Sequence, residues 1–134
     1  MTSQYGIIST QTIGYTAGLD WIGVEAYIEP GQYGHPEDNR RILREHLDAA
    51  IGNVPPSVDV LLVGMGYSRN YGISDIEALA QTQDDTFEYA QENDRVQGIS
   101  WFSYNRPSGT KEYPALVAAH KRHATALGIN RCGS

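Results

Sequence analysis

The sequence predicts an α/β fold built from parallel βα units, and two observations carry that prediction. Three β-prone runs begin near residues 20, 58 and 96, a constant spacing of 38, and each precedes a stretch with helical patterning. Such a rhythm implies a parallel sheet with right-handed crossovers. The middle run, Val58–Tyr67, is nearly all apolar on both parities, as parallel strands covered on both faces are.

In chain order, Tyr5–Thr10 is a short β-prone run, and the polar link Gln11–Gly18 is too short to hold a covering helix. The strand at 19–28 follows. Ile22, Val24, Ala26 and Ile28 share one parity, and Trp21, Gly23, Glu25 and Tyr27 share the other. Alternate side chains point to opposite faces of a strand, so this reads as a helix-backed apolar face behind a face bearing a carboxylate and a phenol. A loop rich in Gly and Pro runs to Pro36, a suitable first residue for a helix over Glu37–Ile51. Leu43, Leu47, Ala50 and Ile51 form its single buried stripe. After the strand at 58–67, helical patterning runs from Asp75 to Glu92, with a break expected near Gln81–Gln83, where the apolar stripe skips a beat. The strand at 96–104 has no clear inward parity. A last helix spans Tyr113–Leu127 and stops at Gly128.

The 134 residues make one domain, 1–134, large enough to fold around a core without disulfides. Its single cysteine, Cys132, allows no internal bridge. A net charge of −6 argues against nucleic acid as a partner. No apolar run is of spanning length, and the start lacks the basic and apolar regions of a signal peptide, so no membrane is expected and the compartment stays undecided. No phosphate loop, dinucleotide fingerprint or nucleophile elbow is present, and no cofactor is expected. His46, His120 and His123 lack metal-ligand spacing and read as solvated helix positions.

Ligands of parallel α/β folds bind beyond the carboxyl ends of the strands. Here those ends carry Glu25, Tyr27, Glu29, Tyr67, Arg69, Asn70, Tyr104, Asn105 and Arg106. Carboxylate, amide and guanidinium groups around aromatic rings suit a carbohydrate, whose hydroxyls take paired polar partners while its C–H face stacks on a ring. For any one of these residues a structural role at the rim is the simpler reading, and the set together points to a site. Arg69 and Arg106, each in a Tyr-x-Arg-x-x-Gly loop, also fit an anion or phosphate ligand, a competing reading from another class.

Three motifs resemble a known group. Leu19–Tyr27 (LDWIGVEAY), Leu62–Ser68 (LVGMGYS) and Val96–Phe102 (VQGISWF) are similar to the sixth, seventh and eighth strands of (β/α)8 glycoside hydrolases of the large retaining clan, the cellulase- and mannanase-like barrels. The resemblance covers nearly the whole chain, as the last half of a TIM barrel. It implies carbohydrate handling, with Trp101 stacking on a sugar, Glu25 as the best remaining carboxylate and an acid in catalysis, and either a homodimer or a missing N-terminal half-barrel completing the fold. Glu25 as a hydrogen-bonded structural residue is the equal alternative. As part of a longer secreted hydrolase the chain would be extracellular. One departure stands out: the family's nucleophilic Glu falls on Gly64. A retaining mechanism needs two carboxyl groups about 5 Å apart. Impaired catalysis by the chain alone is therefore expected, and a noncatalytic carbohydrate-binding relic is the alternative.

Overall fold

The computed structural model describes residues 2–3, 18–27, 35–66, 73–103 and 109–128. Its elements are β1 (Thr2–Ser3), β2 (Trp21–Ala26), α1 (Pro36–Gly52), β3 (Asp59–Met65), α2 (Ile73–Glu92), β4 (Val96–Phe102), a 3-10 turn (Thr110–Glu112) and α3 (Pro114–Ala126). The four strands form one sheet in the order β1-β2-β3-β4, and every pairing is parallel. The α/β architecture with its βα rhythm is thus as the sequence predicts. The strand expected at Tyr5–Thr10 lies outside the described residues.

Local chemistry explains each helix. Pro36 opens α1 with its fixed φ, and Glu37 and Asp38 place negative charge at the positive end of the helix dipole. Asn53 closes it, its side-chain amide donating to the Ala49 carbonyl at 3.1 Å. The stripe Leu43, Leu47, Ala50 and Ile51 is buried against Ile22, Val24 and Ala26 of β2 and Val60 and Leu62 of β3. Each such Leu, Ile or Val contributes roughly 1.5–3 kcal/mol by leaving water.

Helix α2 runs unbroken through Gln81–Gln83, where the sequence predicts a break. The missing apolar beat is filled by polar residues that each keep a hydrogen bond, although Oε1 of Gln83 is buried without a partner among the described residues. Gln83 donates from Nε2 to the Met65 carbonyl at 2.8 Å, and Thr86 donates to the Thr82 carbonyl at 2.8 Å. A buried polar group that keeps a hydrogen bond is tolerated where an apolar one would otherwise be needed. Charged pairs clamp α1 to α2: Arg40 to Glu88 at 2.6 Å and Arg44 to Glu92 at 2.7 Å, with the Tyr89 hydroxyl donating to Asp48 at 2.7 Å. A second cluster, Met65, Ile76, Leu79, Ala80, Leu116 and Ala119, joins the end of β3 to α2 and α3. Gly128, at φ +71°, adopts the left-handed conformation that ends α3, as expected.

All three helices cover one face. Tyr89 of α2 packs in the same cluster as α1, and α3 reaches that side through Trp101. Sequential strand order with crossovers of one hand gives this single winding, whereas a doubly wound sheet would carry helices on both faces.

Candidate functional site

Register assigns each strand residue to a face. Ile22–Val60–Val96, Val24–Leu62–Ile99 and Ala26–Gly64–Trp101 are rows on the helix-covered face, since Val24, Leu62 and Ile99 pack against α1 and α2. The rows Gly23–Leu61–Gly98 and Glu25–Val63–Ser100 lie on the opposite face, which no described helix covers, although Val63 there is only 6% exposed. Glu25 is half-buried there, close to the carboxyl end of β2, and its carboxylate makes no hydrogen bond or ion pair among the described residues. Tyr27, one row beyond, is half-buried and packs against the cluster of Met65, Leu79 and Leu116.

Trp101 is the displaced residue. The sequence resemblance puts it on the same side as Glu25, yet its ring lies on the covered face, 5.0 Å from the ring of His120 and 5.5 Å from that of His123. The cause is a one-residue shift in the β3–β4 pairing. Val60 pairs with Val96 and Leu61 with Gly98, so Gln97 has no partner in the ladder. One extra residue reverses the facing of everything after it. Val96 and Ile99, three apart, consequently both pack on the helix side, and Trp101 follows.

The same arrangement disposes of a nucleophile at Gly64. A Cβ built there would overlap Cζ3 and Cε3 of Trp101 and lie 3.1 Å from its Cη2. Position 64 therefore faces an indole on the covered side, and no carboxylate fits there. Glu29, Tyr67, Arg69, Asn70, Tyr104, Asn105 and Arg106, expected at the rim, lie outside the described residues.

Two other aromatic residues are exposed. Trp21 is 60% exposed and Phe102 47% exposed. Trp21 borders a hollow of about 270 Å³ with Asp59, Val60, Leu61, Gln97 and Gly98. From Trp21 to Glu25 the strand advances about 13 Å, at roughly 3.3 Å per residue. Between them Gly23 and Gly98 flank Leu61, so that row has few side chains to fill it. The sequence signal for Trp21 was its shared parity with Glu25; nothing in the sequence showed that it would stay exposed.

The histidines also depart from expectation. His123 is 5% exposed and His120 is half-buried, so neither is a solvated helix position. Leu116, Ala119, His120 and His123 lie at i, i+3, i+4 and i+7, the spacing of a buried stripe, and that signal was legible. Among the described residues no group of three or more His, Cys, Asp or Glu side chains is placed to hold a metal ion, and no helix is long and apolar enough to cross a membrane. Comparison with protein-family models, with curated proteins and with solved structures found no match.

Proposed function

We propose that this chain is the C-terminal wall of a (β/α)8-type barrel and that it binds a carbohydrate along its open sheet face. The observation that carries this reading is Glu25: a half-buried carboxylate with no partner among the described residues, on the side of a singly wound parallel sheet that no described helix covers. A sugar chain lying from Trp21 to Glu25 would stack a C–H face on the exposed indole. It would offer hydroxyls to Glu25 and, at the near end, to Asp59 and the Gln97 amide. The role that the resemblance implies for Trp101 passes to Trp21, because Trp101 is held against α3.

Hydrolysis by double displacement is not part of the proposal. The position that would hold the attacking carboxylate is Gly64, and it is closed by Trp101. Loss of a nucleophile removes orders of magnitude of rate, while stacking and hydrogen bonding need no nucleophile. The protein is read as a binder of glycans whose catalytic counterpart, if it has one, comes from a second copy or from a preceding half-barrel. Either would also pack on the face that no described helix covers, and parallel sheets are ordinarily covered on both faces.

Calorimetric titration with a length series of β-1,4-linked gluco- and manno-oligosaccharides tests the reading. Binding in the millimolar range is expected. Each aromatic contact should contribute about 1 kcal/mol, so Trp21→Ala should weaken binding roughly fivefold. Glu25→Gln should weaken it as well, and reducing ends should not accumulate. Absence of binding to every oligosaccharide, or binding indifferent to both substitutions, removes the proposal.

A further inference from the structure

Helix α3 presses two imidazoles against the covered face of the sheet. The ring of His123 stacks on Phe87 of α2, centroids 4.4 Å apart and planes 9° from parallel, and it also lies against Trp101 of β4. Its Nε2 is 2.7 Å from the Asp84 carboxylate, which takes Arg122 at 2.7 Å as well. The His120 ring sits 5.0 Å from Trp101 and 6.1 Å from His123. Nε2 of His120 and Nδ1 of His123 are buried with no hydrogen-bond partner among the described residues.

The two histidines therefore face protonation differently. A charge on His123 meets a carboxylate from α2. A charge on His120 meets another imidazole and the ring of Trp101. Among the described residues the titratable or charged groups around the pair are Asp84 from α2 and Arg122 from α3; β3 and β4 contribute Gly64 and Trp101, neither of which titrates. Burial, and after it the neighbouring His123, push His120 down to about 4. His123 is also lowered by burial, against the upward pull of Asp84.

We propose that His120 is an acid-sensitive latch: neutral, it seats α3 on Trp101 and α2, and on protonation it releases α3 from the sheet. The native state takes up this proton near 4, whereas a released helix takes it up near the ordinary 6.5. The seated form is thus fully favoured above about pH 6.5, loses ground as the pH falls from there, and has lost this contribution below about 4. Between pH 7 and 4.5 the seated-to-released ratio falls on the order of 10- to 100-fold, the lower figure allowing for the half-exposed ring. The release has a consequence at the rim. Leu116 and Ala119 of α3 belong to the cluster on which Tyr27 packs, so freeing α3 removes support from Tyr27.

The experiment reads α3 directly. In a Trp21→Phe background Trp101 is the only indole, and its emission is followed from pH 7.5 to 3.5 beside amide exchange of α3. A reversible red shift with faster exchange confined to α3 and its contacts, centred between pH 6.5 and 4, is expected. His120→Gln should abolish that transition, while His123→Gln should retain one. Should His120→Gln fail to fold, the imidazole resonance of His120 in the unmodified chain decides the matter. A titration lying between 4 and 6.5 that coincides with faster exchange of α3 supports the latch, whereas a titration near 6.5, or one near 4 with the exchange of α3 unchanged, overturns it. An unchanged α3 exchange rate, or a transition that survives His120→Gln, overturns it too.

Discussion

Placing a methyl group at position 64 is the sharpest test of how the sheet and α3 fit together. In Gly64→Ala the new Cβ overlaps two ring carbons of Trp101, a separation that real Cβ atoms do not show. The indole cannot simply rotate away, because His120 and His123 lie against it and Phe87 is stacked behind His123. Overpacking of this kind typically costs about 1–3 kcal/mol. For a domain of this size that corresponds to a fall in melting temperature of roughly 3 to 12 °C. The assay is urea unfolding of four proteins: the original chain, Gly64→Ala, Trp101→Ala and the double variant. Trp101→Ala alone should destabilise by removing the ring. In its background Gly64→Ala should cost little or even help, since alanine restricts the unfolded chain more than glycine does. A coupling energy of about 1 kcal/mol or more is therefore expected. If Gly64→Ala costs the same with and without Trp101, the ring does not occupy the space above Gly64, and the case against a nucleophile there fails with it. Gly64→Glu should gain no hydrolytic activity in any background.

Tyr89→Phe should lose about 1 kcal/mol by removing the bond to Asp48, measured by the same urea transitions. Arg95 donates to the carbonyls of Val54, Pro55 and Val58, tying the connection between α1 and β3 to the start of β4, so Arg95→Ala should cost about 1.5–3 kcal/mol. Burial raises the Asp85 carboxyl, with the Gln81 amide and Arg40 pulling it back. The native state then takes its proton more readily than the unfolded chain, and stability is lost as the pH rises through the folded value. Asp85→Asn is accordingly expected to leave the melting temperature unchanged or higher at pH 7, with the difference vanishing at pH 3; a lower melting temperature at pH 7 would show that the Arg40 pair outweighs burial. Light scattering should find self-association of the isolated chain, and a stable monomer with cooperative unfolding would count against an uncovered barrel wall.

Much of the fold is legible because its signals are periodic and local. Strand parity fixes Ile22, Val24 and Ala26 toward the helices, and the stripe from Leu43 to Ile51 fixes the face of α1. The supposed break in α2 shows where such reading stops. Gln83 is invisible to an apolar stripe, yet it is buried because the Met65 carbonyl accepts its proton at 2.8 Å, a partner 18 positions away. His120 and His123 were misplaced for a related reason: imidazole counts as polar in a pattern, although a neutral ring packs as an aromatic one.

The site depends on a subtler kind of information. Matching letters placed Glu25, Gly64 and Trp101 around one substrate, and facing separates them. β2 pairs with β3 without interruption from Trp21 to Ala26, so Glu25 keeps the open side that alternation gives it. β4 contains the unpaired Gln97, and every side chain after it changes face relative to Val96. A shift of one residue costs little in composition and nothing in apolar content, because Val96, Ile99 and Trp101 all find apolar cover. Its effect on chemistry is large. It turns the aromatic ring that the resemblance assigns to a sugar into the ring that fills the space above Gly64. That exchange explains both departures together: once the indole lies on the covered side, position 64 has to be glycine, and Trp21, 60% exposed, is the ring that shares the parity of Glu25.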